Sequence, residues 1–243
     1  AIWGVITGYL QAKRGSHIVI TTIMFNFIAS SIMIWLLAGL LMAPNQMSPE
    51  TVSFADGVML FKIHQILNSM GFSVARSPLN LSFVLALLCC FAVWVLIWRT
   101  RFGYRIRATG FSTKASAYGG YRPEWIIILV MAISGGLAGM MAVNEILGVQ
   151  HRVILNFTSG YGFTGIAVAL MGRNHPVGII FASLLFGALY QGGAELDFEF
   201  QTITRDMVIM IQGLIILFSG ALAYMFNPFL ERIFLANKGQ KEP

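Results

Sequence analysis

The sequence predicts an all-α fold, a polytopic helical transmembrane bundle with one broken or re-entrant helix. Three observations lead there. Hydrophobic residues make up 57% of the chain and charged residues only 11%, against about 25% charged in a soluble domain. Several runs long enough to cross a bilayer contain no charge at all, and the basic residues gather in the stretches between those runs. The mean hydropathy of +0.74 agrees, because so few polar residues cannot cover a large globule in water.

A span needs roughly 20 mainly apolar residues at 1.5 Å rise each. Residues 18–41, 79–98, 125–144 and 207–226 meet that requirement without one charged side chain. Residues 177–193 form a shorter uncharged run at the lower limit. The segment 161–172, YGFTGIAVALMG, is apolar but too short to cross alone, and the preceding LNFTSG is rich in Gly, Ser, Thr and Asn. A broken or re-entrant helix over 155–172 follows, which a membrane tolerates only where protein or a cavity surrounds it. The opening AIWGVITGYL reads as the end of an apolar segment, with no signal-peptide layout. The expectation is one transmembrane domain over 1–243 with its first spans lying before Ala1.

Orientation follows from the positive-inside bias. With 18–41 running outward, the inner segments hold Lys13, Arg14, Arg99, Arg101, Arg105, Arg107, Lys114, Arg122, Arg173, Arg232, Lys238 and Lys241. The outer segments hold Lys62, Arg76, Arg152 and Arg205, which completes the 16 basic residues. Glu195, Asp197, Glu199 and Asp206 share one outer loop, and Trp98 and Trp125 bracket 99–124 as interfacial anchors would. The stretch 99–124 therefore faces the cytoplasm, and 42–78 forms an extracytoplasmic loop. Within that outer loop Met59, Ile63, Ile66, Leu67 and Met70 recur at helical spacing, which predicts an amphipathic helix.

Composition also excludes function classes. A net charge of +6 would fit nucleic acid, but topology already accounts for the basic residues, so no nucleic-acid partner is expected. The spans carry none of the ionisable groups that proton pumps and voltage sensors need, so a transported solute would be neutral overall. No phosphate-binding glycine loop, HExxH or GxSxG motif is present. His17, His64, His151 and His175 lie in loops at no ligand spacing, and Cys89 and Cys90 are adjacent inside an apolar run, where packing explains them. No metal and no cofactor is expected in this chain.

The remaining signals are small and polar residues in or beside the spans. Gly135–Gly139, Gly178–Ala182 and Ser183–Gly187 have the spacing of close helix packing. Gly162, Gly165, Ala169 and Gly172 share one face of the broken segment. Two readings stand side by side there: tight packing, or a backbone left open to a ligand beside Asn156, Thr158, Ser159 and Thr164. Asn26 and Gln212 are the lone amide side chains deep in their spans, fitting either interhelical hydrogen bonds or solute contact. Phe163 could stack on a planar ring.

The stretch 99–124 reads RTRFGYRIRATGFSTKASAYGGYRPE. Its second half predicts a short helix capped by Ser112 and ended by Gly119, presenting Ala115, Ala117 and Tyr118. A basic loop resting on anionic headgroups is the plainer alternative. The pattern TRFGYRIRATG followed by KASAYGG resembles the coupling-loop region of permease subunits in bacterial ABC importers for simple sugars, nucleosides and branched-chain amino acids. TTIMFNFIA (21–29), ISGGLAGMMA (133–142), GYGFTGIAVALMGRNHPVG (160–178), FGALYQGG (186–193) and IQGLIILF (211–218) extend the likeness, most of all toward nucleoside and simple-sugar permeases. The chain departs from that pattern with Ala115-Ser116-Ala117 where paired alanines are usual, and with Gly120 where an aliphatic residue is commoner.

The resemblance implies a multi-pass protein of the bacterial cytoplasmic (inner) membrane, working beside a second, homologous or identical permease. ATP and Mg would be bound by separate ATPase subunits, and solute would arrive from an extracytoplasmic binding protein. Gly103, Tyr104, Arg107, Ala108, Gly110, Ala115, Ala117 and Gly119 would form the cytoplasmic coupling helix and its approach. Asn26, Thr158, Ser159, Gly162, Phe163, Thr164, Gly165 and Gln212 would line the solute path. The solute would be a nucleoside first and a simple sugar such as ribose second, with a branched-chain amino acid as the alternative. An ion-coupled secondary transporter is the rival of another class, and a membrane-embedded enzyme comes third.

Overall fold

A computed structural model describes residues 1–44, 48–55, 57, 59–63, 68, 79–199, 207–215, 217 and 218. Side chains 197 and 198 lie outside that description. Most of the amphipathic helix expected around Met59–Met70, the second half of the 207–226 span and the tail 227–243 also lie outside it. The chain forms two compact units, Ala1–Ser159 and the residues from Gly160 onward.

In the first unit, α1 (Ile2–Arg14) and α2 (Ile18–Gly39) are separated by a turn at Gly15, whose φ of 65° is the left-handed conformation open to glycine. α3 (Ser82–Trp94) continues without interruption as a π-helix over Val95–Arg99. α4 (Arg101–Phe111) and α5 (Thr113–Tyr118) follow. α6 (Pro123–Ala142) opens with proline at its first position and widens into a π-helix over Val143–Gln150. Ile18–Gly39, Ser82–Arg99 and Pro123–Gln150 are long and apolar enough to cross a membrane. Their surfaces remain largely exposed side by side with Trp35, Phe27 and Phe91, as a lipid-facing or partner-facing surface requires. Cys89 and Cys90 are free thiols, and the Cys89 Sγ lies 3.3 Å from the Met140 Sδ.

α1 packs chiefly along α6. The contact is glycine-lined: a Cβ on Gly8 would lie 3.1 Å from the Ile128 Cα, and one on Gly135 would lie 3.3 Å from the Gly4 Cα. Gly135 of the expected GxxxG therefore serves helix approach, whereas Gly139 faces open space. An ion pair between Lys13 and Glu124 closes the same contact at the start of α6.

The opposite end of α6 is held differently. The segment following α2 lies antiparallel to 147–154, with backbone bonds Thr51 N–H to Val153 O (3.1 Å), Phe54 N–H to His151 O (2.9 Å) and Leu60 N–H to Leu147 O (3.1 Å). Arg152 Nη1 donates to Glu50 Oε1 at 3.0 Å across this pairing. Asn80, which is buried, donates through Nδ2 to Asn144 Oδ1 at 3.2 Å and also meets Ser82, so α3 and the π-helix share a polar joint.

The second unit contains α7 (Tyr161–Met171) and α8 (Pro176–Glu199), of which Pro176–Leu196 is long enough to span. Residues 207–215 are also helical, in line with the start of the last expected span. α7 is the short apolar helix expected of the broken segment. The α7–α8 hairpin turns through Arg173 and Asn174, both at positive φ, and packs Val168 against Ala182 and Phe186. Its backbones touch: a Cβ on Gly172 would lie 2.6 Å from the Ile179 nitrogen, and one on Gly178 would lie 3.0 Å from the Gly172 carbonyl carbon.

This contrast yields a stability test. Gly178→Ala forces backbone against backbone and should lower the thermal unfolding midpoint of the detergent-solubilised protein. Gly187→Ala, in the same helix but facing open space, should leave the midpoint unchanged or raise it, since alanine is favoured over glycine in a helix by about 0.5–1 kcal/mol. Equal losses in both variants would contradict the hairpin packing described here.

Candidate functional site

The candidate coupling region starts at Thr100. Its hydroxyl donates to the Leu96 carbonyl at 2.5 Å and accepts from the Gly103 amide at 3.0 Å. One side chain thus satisfies the last turn of a span and the first turn of α4, the service an N-cap residue provides. Thr100 itself is extended, with φ −104° and ψ 155°, so the chain changes direction there. Gly103 then fits against the Leu96 and Ile97 carbonyls, where a Cβ would collide with both. It is buried, and its service is to hold α4 against the end of the span.

The other residues expected in coupling distribute differently. Tyr104, Arg107 and Gly110 are exposed on α4, and Ala108 is half-buried. Ser112 accepts from the Ala115 amide at 3.2 Å and begins α5, and Gly119 ends it, both as the sequence predicts. Ala115, Ala117 and Gly119 are exposed. Two aromatics stand out on this surface, Phe111 at 92% and Tyr118 at 94% exposure.

Between α4 and α5 the Thr109 and Ser116 hydroxyls meet at 2.9 Å, both buried. This pair sets the angle between two helices that share only a short connection. It also explains Ser116 in the Ala115-Ser116-Ala117 run: an alanine there would leave the Thr109 hydroxyl without this partner. Sequence reading missed Thr100, Thr109, Ser116 and Phe111. Thr100 had a usable signal, a hydroxyl residue three positions before Gly103 at the end of an uncharged run. Thr109 and Ser116 had none, because the break at Ser112 separates them from any common helical period.

The solute-path candidates fall into two sets, each described within its own unit. In the first unit Asn26 is exposed on α2, and Thr158 and Ser159 are exposed in the turns before α7. Asn156 and Ser159 have φ of 59° and 41°, and the Ser159 amide donates to the Asn156 carbonyl at 3.0 Å. An apolar groove of about 350 Å³ begins one turn along α2 from Asn26, at Ala29, and its opposite wall includes Val153 and Phe157. In the second unit Gly162 and Gly165 face open space, Phe163 is 80% exposed, Thr164 is half-buried and Gln212 is half-buried. Gly172, which sequence periodicity placed on the same face as Gly162 and Gly165, is instead packed in the hairpin. None of these candidates carries a charge, and among the described residues no group of three His, Cys, Asp or Glu could hold a metal ion.

Comparison with known proteins identifies the family. Residues 1–220 match the model of the family described as branched-chain amino acid transport system / permease component. The guanosine ABC transporter permease protein of Bacillus subtilis is 33% identical, over 89% of this chain and 60% of its own length. The nucleoside ABC transporter permease protein of Lactococcus lactis is 31% identical, over 90% of this chain and 59% of its own. The glucose ABC transporter permease protein of Haloferax volcanii is 28% identical, over 90% of this chain and 57% of its own. The chain spans about three-fifths of the length of these relatives. No solved structure matches it. A family match over residues 1–220 of a multi-span helical chain establishes that the protein belongs to the permease components of the branched-chain amino acid transport system type.

Proposed function

We propose that the chain is the larger part of a permease subunit of an ATP-binding-cassette importer, carrying a neutral polar solute by alternating access. Nucleosides rank first and simple sugars second. The observation that carries this reading is the rigid α4–α5 pair on the side that charge counting assigns to the cytoplasm. Thr109 and Ser116 lock it, and it presents Phe111, Tyr118, Ala115 and Ala117 outward. A separate ATPase gripping this surface could move α4, and Gly103 would pass that motion to the Leu96–Ile97 end of the span. Tyr104, Arg107, Ala108, Gly110 and Gly119 complete the proposed coupling region.

The solute side of the proposal uses uncharged chemistry. Asn26, Gln212, Thr158, Ser159 and Thr164 offer donors and acceptors, and the exposed Phe163 offers a face for a base. Gly162 and Gly165, with nothing above them, would let a solute approach backbone. A second permease, two ATPases and an extracytoplasmic binding protein would complete the machine, with ATP and Mg held by the ATPases. Names of relatives that carry guanosine, other nucleosides and glucose support this ranking in that order of identity.

Two measurements test the proposal. In a strain lacking the full-length permease, restoring it should recover uptake of labelled guanosine, with unlabelled adenosine competing better than ribose. Recovered ribose or glucose uptake without guanosine uptake would reverse the solute ranking. In the purified transporter, Thr109→Val leaves the Ser116 hydroxyl buried without its partner, a cost of about 1–3 kcal/mol. Solute-stimulated ATP hydrolysis should fall severalfold while basal hydrolysis by the ATPase stays, and Thr109→Ser should restore coupling. Full stimulation in Thr109→Val would remove the α4–α5 lock from the mechanism.

A further inference from the structure

The α4–α6 corner contains a groove of about 420 Å³ that the coupling surface does not use. Phe102, Arg105, Arg122 and Trp125 line it, and Ile126 and Leu129, further along α6, line it too. The Arg105 guanidinium lies 5.2 Å from the Tyr121 ring centroid, a cation–π contact that orients it without neutralising it. Among the described residues neither Arg105 nor Arg122 forms an ion pair. The neighbouring carboxylate, Glu124, is committed to Lys13. It is also the lone acid in 11–17 and 99–124, where eight Lys and Arg residues lie.

The groove has two kinds of wall in a fixed order. Its cationic end sits where α6 begins at Pro123, and its apolar end reaches Leu129, about 9 Å deeper at 1.5 Å per residue. Of its apolar lining, Ile126 is buried, while Trp125 and Leu129 stay open at 55% and 45% exposure. A free phosphate would satisfy the two guanidiniums and leave the apolar half unused. A lipid with an anionic headgroup matches both halves, its phosphate between the arginines and the start of an acyl chain along Leu129. We infer that the Arg105–Arg122 groove is a binding site for an anionic phospholipid of the cytoplasmic leaflet, built by the turn between α5 and α6.

The test uses the full-length permease in phosphatidylcholine nanodiscs titrated with a photoactivatable phosphatidylglycerol, with labelled peptides read by mass spectrometry. Labelling should saturate and map to 121–129. Replacing both arginines, Arg105→Gln with Arg122→Gln, should weaken it about 30-fold, two charges near a surface at about 1 kcal/mol each. Lys114→Gln, which removes one charge elsewhere on the same side, should leave it unchanged. Leu129→Trp keeps both charges but fills the apolar end, and should also weaken labelling severalfold even where the double variant fails to fold. Unchanged labelling in the double arginine variant or in Leu129→Trp would overturn the inference. So would an equal loss in Lys114→Gln, which means a diffuse field, or displacement by millimolar inorganic phosphate, which means an anion site without a lipid.

Discussion

Hydrocarbon offers a peptide group nothing to bond to, so each N–H and C=O inside the bilayer must find its partner within the chain. That requirement makes the spans helical and decides where they stop being helical. The π-helical stretches Val95–Arg99 and Val143–Gln150 sit at the ends of their spans. The left-handed residues His151, Asn156 and Ser159 come only after the second of them. Beyond the span, the chain meets the same demand by pairing 50–60 with 147–154, and Glu50 with Arg152 adds a charged partner there.

Because lipid rewards apolar side chains no less than protein does, burial alone cannot hold such helices together. Contact is made instead by removing side chains or by inserting hydrogen bonds. Gly4, Gly8 and Gly135 let α1 and α6 approach, and Gly172 with Gly178 does the same for α7 and α8. Where a polar joint replaces a notch, as between Asn80 and Asn144 or between Thr109 and Ser116, it specifies one geometry, since a slipped register would leave a buried polar group unpaired. The first device allows close sliding surfaces, and the second fixes angles. The fixed angle lies at the α4–α5 pair.

The spans were legible because twenty uncharged apolar residues have few other fates, and the α5 caps were legible because Ser112 and Gly119 act within four residues. α4 was harder. Its basic residues at 101, 105 and 107 read as a charged loop, whereas the chain folds them into a helix on Thr100 and Gly103. The pairing of Glu50, Thr51, Phe54 and Leu60 with 147–154 left no trace in sequence, since it joins residues about a hundred positions apart by backbone groups that every residue carries. Glycine periodicity over 162–172 gave half an answer: it found a shared face, but not that Gly172 is packed while Gly162 and Gly165 are open.

The helical geometry of α4 has a consequence for its charges. Residues two apart on an α-helix point about 200° apart, so Arg105 and Arg107 leave the same helix on opposite sides. Arg105 turns to Tyr121 and the groove beside α6, and Arg107 remains on the exposed surface beside the lock. Positive-inside counting treats the two as equal, because it weighs charge and ignores direction. Once the helix is formed they face different neighbours. If the groove takes the lipid inferred above, Arg105 would steady the corner at α6 while the Arg107 face of α4 stays free for the proposed partner. In the coupling proposed above, an anchored α6 would give a partner something to push against: force applied to α5 would pass through Thr109–Ser116 into α4 and through Gly103 into the span.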